Sequence, residues 1–137
     1  MPVAMITPEG LIRAKGPYVN MLQEAGFEVR YPEDTTFTRG QFSQADTIDV
    51  LKDVQGLIAG GEVLSEPVLE ALPNLRVIAR SGVGYDKVDV PACTKFGKVL
   101  TITPTANHEA VAEHALGLLF AVSKEVLFND SSARAGE

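Results

Sequence analysis

Short apolar runs recur along this chain, and nearly every one stops at a proline, a glycine or a charged residue. They fall at 3–6, 27–31, 56–59, 75–79 and 99–102. Between them lie segments with helical spacing. One covers 18–25 and is closed by Gly26, and a second covers about 46–53. Ser65 can cap a short helix with Pro67 in its first turn, ended by Pro73-Asn74. Asp89 is placed to cap another, with Pro91 early in it and Gly97 just beyond it, and the longest helical pattern covers 107–128. The stretch 33–45 is polar and irregular. Strands that are apolar at nearly every position, each followed by a helix, need cover on both faces. The pattern therefore predicts an α/β fold, a doubly wound parallel sheet of five strands. Right-handed crossovers place the loops after the strands at the carboxyl edge, where open α/β sheets hold ligands.

Charge and cysteine usage narrow the partners. With 12 basic against 18 acidic residues the formal charge is −6, which speaks against a nucleic-acid backbone or an anionic membrane surface. A small anion is still admissible, because a single loop of amide donors binds one even on an acidic protein. The lone cysteine, Cys93, rules out an internal disulfide and reads as a small hydrophobe in a short helix. The start has neither a basic flank nor an apolar run of signal-peptide length, and no stretch reaches the roughly 18 apolar residues of a membrane span. A cytoplasmic location is the expectation.

The pattern at 107–128 has apolar residues around most of its circumference, among them Val111, Leu116, Leu118, Leu119, Phe120, Val122, Leu127 and Phe128. One sheet face cannot cover so wide a stripe. Such a helix is central in a larger protein or joins a second copy, and a homodimer through this helix is expected.

Few residues suggest chemistry. Ser81-Gly82-Val83-Gly84-Tyr85-Asp86 directly follows a predicted strand, and its glycines allow consecutive N–H groups to converge on a carboxylate or phosphate. Lys87 stands where a third glycine would complete the dinucleotide fingerprint, so that fingerprint is absent here. His108 and His114 are six residues apart, about 240° around a helix, so no metal site is expected of them. Glu109 and Glu113 share a helix face, and an exposed position is expected for both.

The run from Leu72-Pro73-Asn74-Leu75 through Arg80-Ser81-Gly82-Val83-Gly84-Tyr85-Asp86 to Asp89 closely resembles the NAD-dependent D-2-hydroxyacid dehydrogenases, particularly the phosphoglycerate dehydrogenase branch. Thr103-Pro104-Thr105-Ala106-Asn107-His108-Glu109-Ala110-Val111-Ala112-Glu113-His114-Ala115 does so too. The resemblance implies a flavodoxin-like substrate-binding domain over 1–104 and an inter-domain linking helix over 105–128. A tail over 129–137 would lead toward a nucleotide-binding domain. It implies that backbone groups of Val83 and Gly84 hold the carboxylate of a small 2-hydroxy or 2-oxo acid, with Ser81 and Asn107 near the cleft.

In that family, hydride transfer uses an arginine, a glutamate and a histidine supplied after the dinucleotide fingerprint. None of these is matched here, so no catalytic residue is assigned and no NAD binding is expected of these residues alone. The expected function is the substrate-binding part of such a dehydrogenase, inactive by itself. A free-standing carboxylate-binding module and an interaction subunit that uses its apolar helix are the alternatives.

Overall fold

In the computed structural model, which describes residues 1–14 and 16–137, five strands form one parallel sheet in the order β2-β1-β3-β4-β5. They are β1 Val3–Ile6, β2 Glu28–Arg30, β3 Gly56–Ala59, β4 Val77–Arg80 and β5 Val99–Thr101. This is the flavodoxin-like doubly wound order. The helices in this part of the chain are α1 Glu9–Ala14, α2 Tyr18–Glu24, α3 Gln44–Leu51, α4 Glu66–Glu70 and α5 Val90–Lys95. The residues divide into two compact units, Met1–Pro104 and Thr105–Glu137.

The first unit has one dense core. Val3, Met5, Leu57, Ala59 and Ile78 point from the sheet into Leu51, Val54, Leu64, Val68, Leu69, Leu72, Val88, Ala92 and Cys93. On the opposite face, Ala4, Gly56, Ile58, Val77 and Ala79 line an apolar cavity of about 400 Å³ together with Leu22 and Phe27. Cover there is thinner than strands apolar on both faces suggest.

Local chemistry moved several boundaries. Ser43 accepts from the Asp46 amide at 3.2 Å, so α3 starts two residues before the expected 46. Asp89 caps α5 by accepting from the Ala92 amide at 2.9 Å, as its position suggested. Ser65 occupies the N-cap position of α4 but makes no side-chain cap bond. The 33–45 stretch contains a 3₁₀ helix, Thr35–Arg39, whose Phe37 is buried in the core against Phe42, the two rings meeting edge to face. Helix α1 was not anticipated. Pro8 opens it, its carbonyl accepting from the Leu11 and Ile12 amides.

The second unit corrects the expected single helix. Two helices form, α6 His108–Ser123 and α7 Val126–Ala135, separated at Lys124 and Glu125. Glu125 has φ 50°, a left-handed conformation that ends α6. The Asn129 side-chain amide then donates to the freed Lys124 carbonyl at 2.8 Å. An Arg134–Asp130 pair one turn apart and a Ser131 bond to the Leu127 carbonyl follow within α7. Residues 129–135, expected to leave the helix, are therefore helical, and the chain stops being so at Gly136, with φ 80°. Local capping decided this, not hydropathy. The apolar side chains of both helices are exposed: Leu119 and Phe120 by 60% and Leu127 by 83%. No helix among the described residues is long and apolar enough to cross a membrane.

Candidate functional site

Strand β4 ends at Arg80, whose neighbour in β3 is Ala59. The Ser81 amide continues the pairing by donating to the Ala59 carbonyl at 2.9 Å. Gly82 then takes φ 149°, a conformation that favours glycine, and its carbonyl accepts from the Thr103 amide at 3.0 Å. The far end of the turn is fixed at a second point. Leu64 and Val88 form a parallel bridge, with the Leu64 amide donating to the Lys87 carbonyl and the Asp89 amide to the Leu64 carbonyl. Leu64 and Val88 are both core residues, so burial holds the bridge in place.

Between these anchors the backbone is open. Val83, Gly84, Tyr85 and Asp86 are all exposed. Among the described residues, the hydrogen bonds of the turn engage the amides of Ser81, Gly82 and Val88 and leave those of Val83 and Gly84 without a protein acceptor. Two adjacent free amides at the carboxyl edge of a sheet suit a carboxylate.

Charged groups surround the turn. The Arg80 guanidinium donates from Nη1 to the Ser81 carbonyl at 2.5 Å and lies against Gly82. The Asp86 carboxylate leans toward Gly84, with Oδ1 3.2 Å from where a Cβ would stand. Lys87 donates to the Arg39 carbonyl at 3.3 Å.

Beside it, β3 runs into Gly60-Gly61-Glu62. The Gly60 amide donates to the Thr7 hydroxyl and the Gly61 amide to the Thr38 carbonyl. A Cβ on Gly60 would run into the Thr38 hydroxyl. Glu62 is only 2% exposed. Burial pushes its carboxyl above the usual range, and the Arg80 charge opposes this.

The residues expected at a site thus fall in two places. Ser81, Val83 and Gly84 share the turn, and Asn107 precedes α6 in the second unit, its side chain making no cap bond. His108, Glu109, Glu113 and His114 are exposed on α6, and His108 Nδ1 lies 2.7 Å from the Thr105 carbonyl. Sequence reasoning gave no role to Arg80 or Glu62. The signal for Arg80 was a cation ending an apolar strand just before the glycines. For Glu62 it was an acid following a glycine pair at the same edge. A separate cavity of about 430 Å³, lined by Met5, Tyr31, Asp34, Phe37 and Asp49, carries acidic side chains and does not suit an anion.

The fold and the turn together define a parallel α/β domain with open amides at its carboxyl edge. Residues 12–135 match the family described as D-isomer specific 2-hydroxyacid dehydrogenase, catalytic domain, and the chain belongs to that family. It is 35% identical over 120 residues to a glyoxylate reductase of Pyrococcus furiosus, an alignment covering 87% of this chain and 34% of that protein. It is 43% identical over 79 residues to a D-3-phosphoglycerate dehydrogenase of Mycobacterium leprae, covering 58% of this chain and 15% of that one. Among solved structures, the TT0316 protein of Thermus thermophilus superposes with a TM-score of 0.77 at 28% identity, over 98% of this chain and 40% of that chain. The NAD+-bound 3-phosphoglycerate dehydrogenase of Entamoeba histolytica does so with 0.71 at 26% identity, over 88% and 38%. The chain spans about a third or less of the length of these curated relatives.

Proposed function

We propose that this chain is the substrate-binding part of an NAD-dependent D-2-hydroxyacid dehydrogenase, with the Val83 and Gly84 amides receiving the carboxylate of a small 2-hydroxy or 2-oxo acid. The observation that carries this reading is the pair of acceptor-free amides held between two hydrogen-bonded anchor points, the second of them buried. Ser81 stands at the same turn. For Asn107 the support is the family resemblance alone. The linking role of 105–128 and the onward role of 129–137 rest on the same resemblance, as do NAD as the cofactor of the complete enzyme and its absence from these residues alone. The acidic balance and single cysteine support a cytoplasmic protein without nucleic-acid or membrane partners.

Positioning a carboxylate is one part of hydride transfer. The remainder needs a proton donor and a nicotinamide held at the reacting carbon. Within these residues no group is assigned to either task, so the chain alone is proposed to be inactive. The test is an assay of 2-oxo acid reduction with NADH and of 2-hydroxy acid oxidation with NAD+. No turnover above a protein-free control is expected. Turnover that copurifies with the chain and disappears on Gly84→Val would overturn the proposal.

The exposed apolar residues of α6 and α7 support a homodimer. Leu118, Val122, Leu127 and Phe128 line one concave surface of about 590 Å³ within the second unit. A second copy offers the same surface in return.

A further inference from the structure

We propose that Glu62 is a specificity-determining residue of the turn, admitting a ligand with one negative charge and discriminating against a second. The inference rests on the reading that Val83 and Gly84 bind a carboxylate. It starts from placement. Because Ala59 pairs with Arg80 across the sheet, Gly60 and its successors leave β3 beside Ser81. The Gly60-Gly61 backbone is fastened to Thr7 and Thr38, and this turns the next side chain inward. The Glu62 carboxyl folds back over Gly60, with Oε2 3.4 Å from where a Cβ on that glycine would stand. Among the described residues neither of its oxygens has a hydrogen-bond partner.

A carboxyl so placed is unscreened by water and unneutralised by a close ion pair, so its charge acts on the neighbouring turn at low dielectric. The groups around it are few. Arg80 on β4 supplies a cation, and Thr7 at the end of β1 a neutral hydroxyl. From the 3₁₀ segment come neutral Thr38 and the Arg39 carbonyl, to which Lys87 donates. Asp86 carries the other acid near the turn, but it is exposed. The formal charges at the turn cancel, Arg80 and Lys87 against Glu62 and Asp86, so one incoming carboxylate meets two amides and no spare cation. A second carboxylate must either face an ionised Glu62 or force a proton onto it, and the latter becomes harder as pH rises. Burial already favours the protonated form.

Two stable acids separate these cases: glycolate, a monoanion, and tartronate, the same hydroxy acid with a second carboxylate. Each is titrated into the chain while the Val83 and Gly84 amides are followed by NMR, at pH 8.5 and 5.5, for the wild type, Glu62→Gln and, as control, Glu24→Gln. At pH 8.5, Glu62→Gln is expected to bind tartronate about fivefold more tightly than the wild type and glycolate only about twofold. At pH 5.5 the difference between the two proteins should be smaller, because burial favours the protonated carboxyl. Glu24→Gln, which removes an exposed acid on α2, should change either affinity by no more than about twofold, because that carboxylate is solvated. A tartronate-to-glycolate affinity ratio unchanged by Glu62→Gln at pH 8.5 overturns the proposal. Should that variant not fold, the wild type decides alone. Its ratio must fall as pH rises from 5.5 to 8.5, and a constant ratio overturns the proposal. If neither acid moves these amides in the folded wild type, the carboxylate reading of the turn fails and this inference with it.

Discussion

Arg80 lies against Gly82: its Nη1 is 2.9 Å from where a Cβ on that glycine would stand, while it donates to the Ser81 carbonyl at 2.5 Å. The strand's last side chain thus braces the turn that follows it, and a side chain at position 82 would require the guanidinium to move.

Gly82→Ala combines an unfavourable φ with this contact and is expected to cost about 2–3 kcal/mol. Gly97→Ala is the matched control. Its φ of 66° is also left-handed, but nothing lies within 4 Å of the added methyl. The control should cost about 1 kcal/mol. Urea denaturation of both variants measures the difference, and equal losses would show that Arg80 yields freely.

Much of this arrangement was legible in the sequence. Val3–Ile6 and Gly56–Ala59 lie where their apolar runs predicted, because glycine, proline or acid residues bound them sharply. Asp89 acts as the expected cap because an aspartate before Val90-Pro91 has one evident use. The expected strand 75–79 forms instead as Val77–Arg80. Leu75 is drawn into the core, and its carbonyl accepts from Lys98. The break at Glu125 left no trace in hydropathy, since it depends on one dihedral angle and one Asn129 bond. Glu62 was equally hidden, because burial of an acid is a tertiary outcome that no local pattern announces.

The raised carboxyl of Glu62 has a consequence for stability. Its folded-state pKa lies above the unfolded value near 4.5, so the native state binds the extra proton. Below that value the group costs nothing. As pH rises through the window between the two values, stability is lost, and the loss levels off above the folded value. Thermal melts of wild type and Glu62→Gln should therefore differ least near pH 4 and favour the variant increasingly toward pH 8. A difference that does not change with pH would contradict the assignment.

Lys98 is a second buried charge, and it is well partnered. Its amine donates to the Leu72 carbonyl at 2.6 Å and the Leu75 carbonyl at 3.0 Å, tying the segment after α4 to the start of β5. Burial lowers its pKa. Lys98→Met keeps the stem but takes from the Leu75 carbonyl its donor and leaves the Leu72 carbonyl only the Leu75 amide, and a loss of about 2 kcal/mol is expected by urea denaturation at pH 7. An unchanged midpoint would mean that water replaces the amine at no cost.

For the second unit, sedimentation from micromolar to submillimolar protein should show a dimer that Leu119→Asp dissociates. Leaving three or four such side chains in water forgoes roughly 1.5–3 kcal/mol each. A monomer across that range, unaffected by the substitution, would remove the support for self-association.

The central claim is that the Val83 and Gly84 amides receive a carboxylate, and residue-resolved NMR tests it most directly. Glycolate added at millimolar concentration should shift these two amides first and saturably, while core amides such as those of Leu57 and Ile78 stay in place. Saturable shifts confined to other parts of the chain, or none at the turn in a demonstrably folded protein, would contradict it.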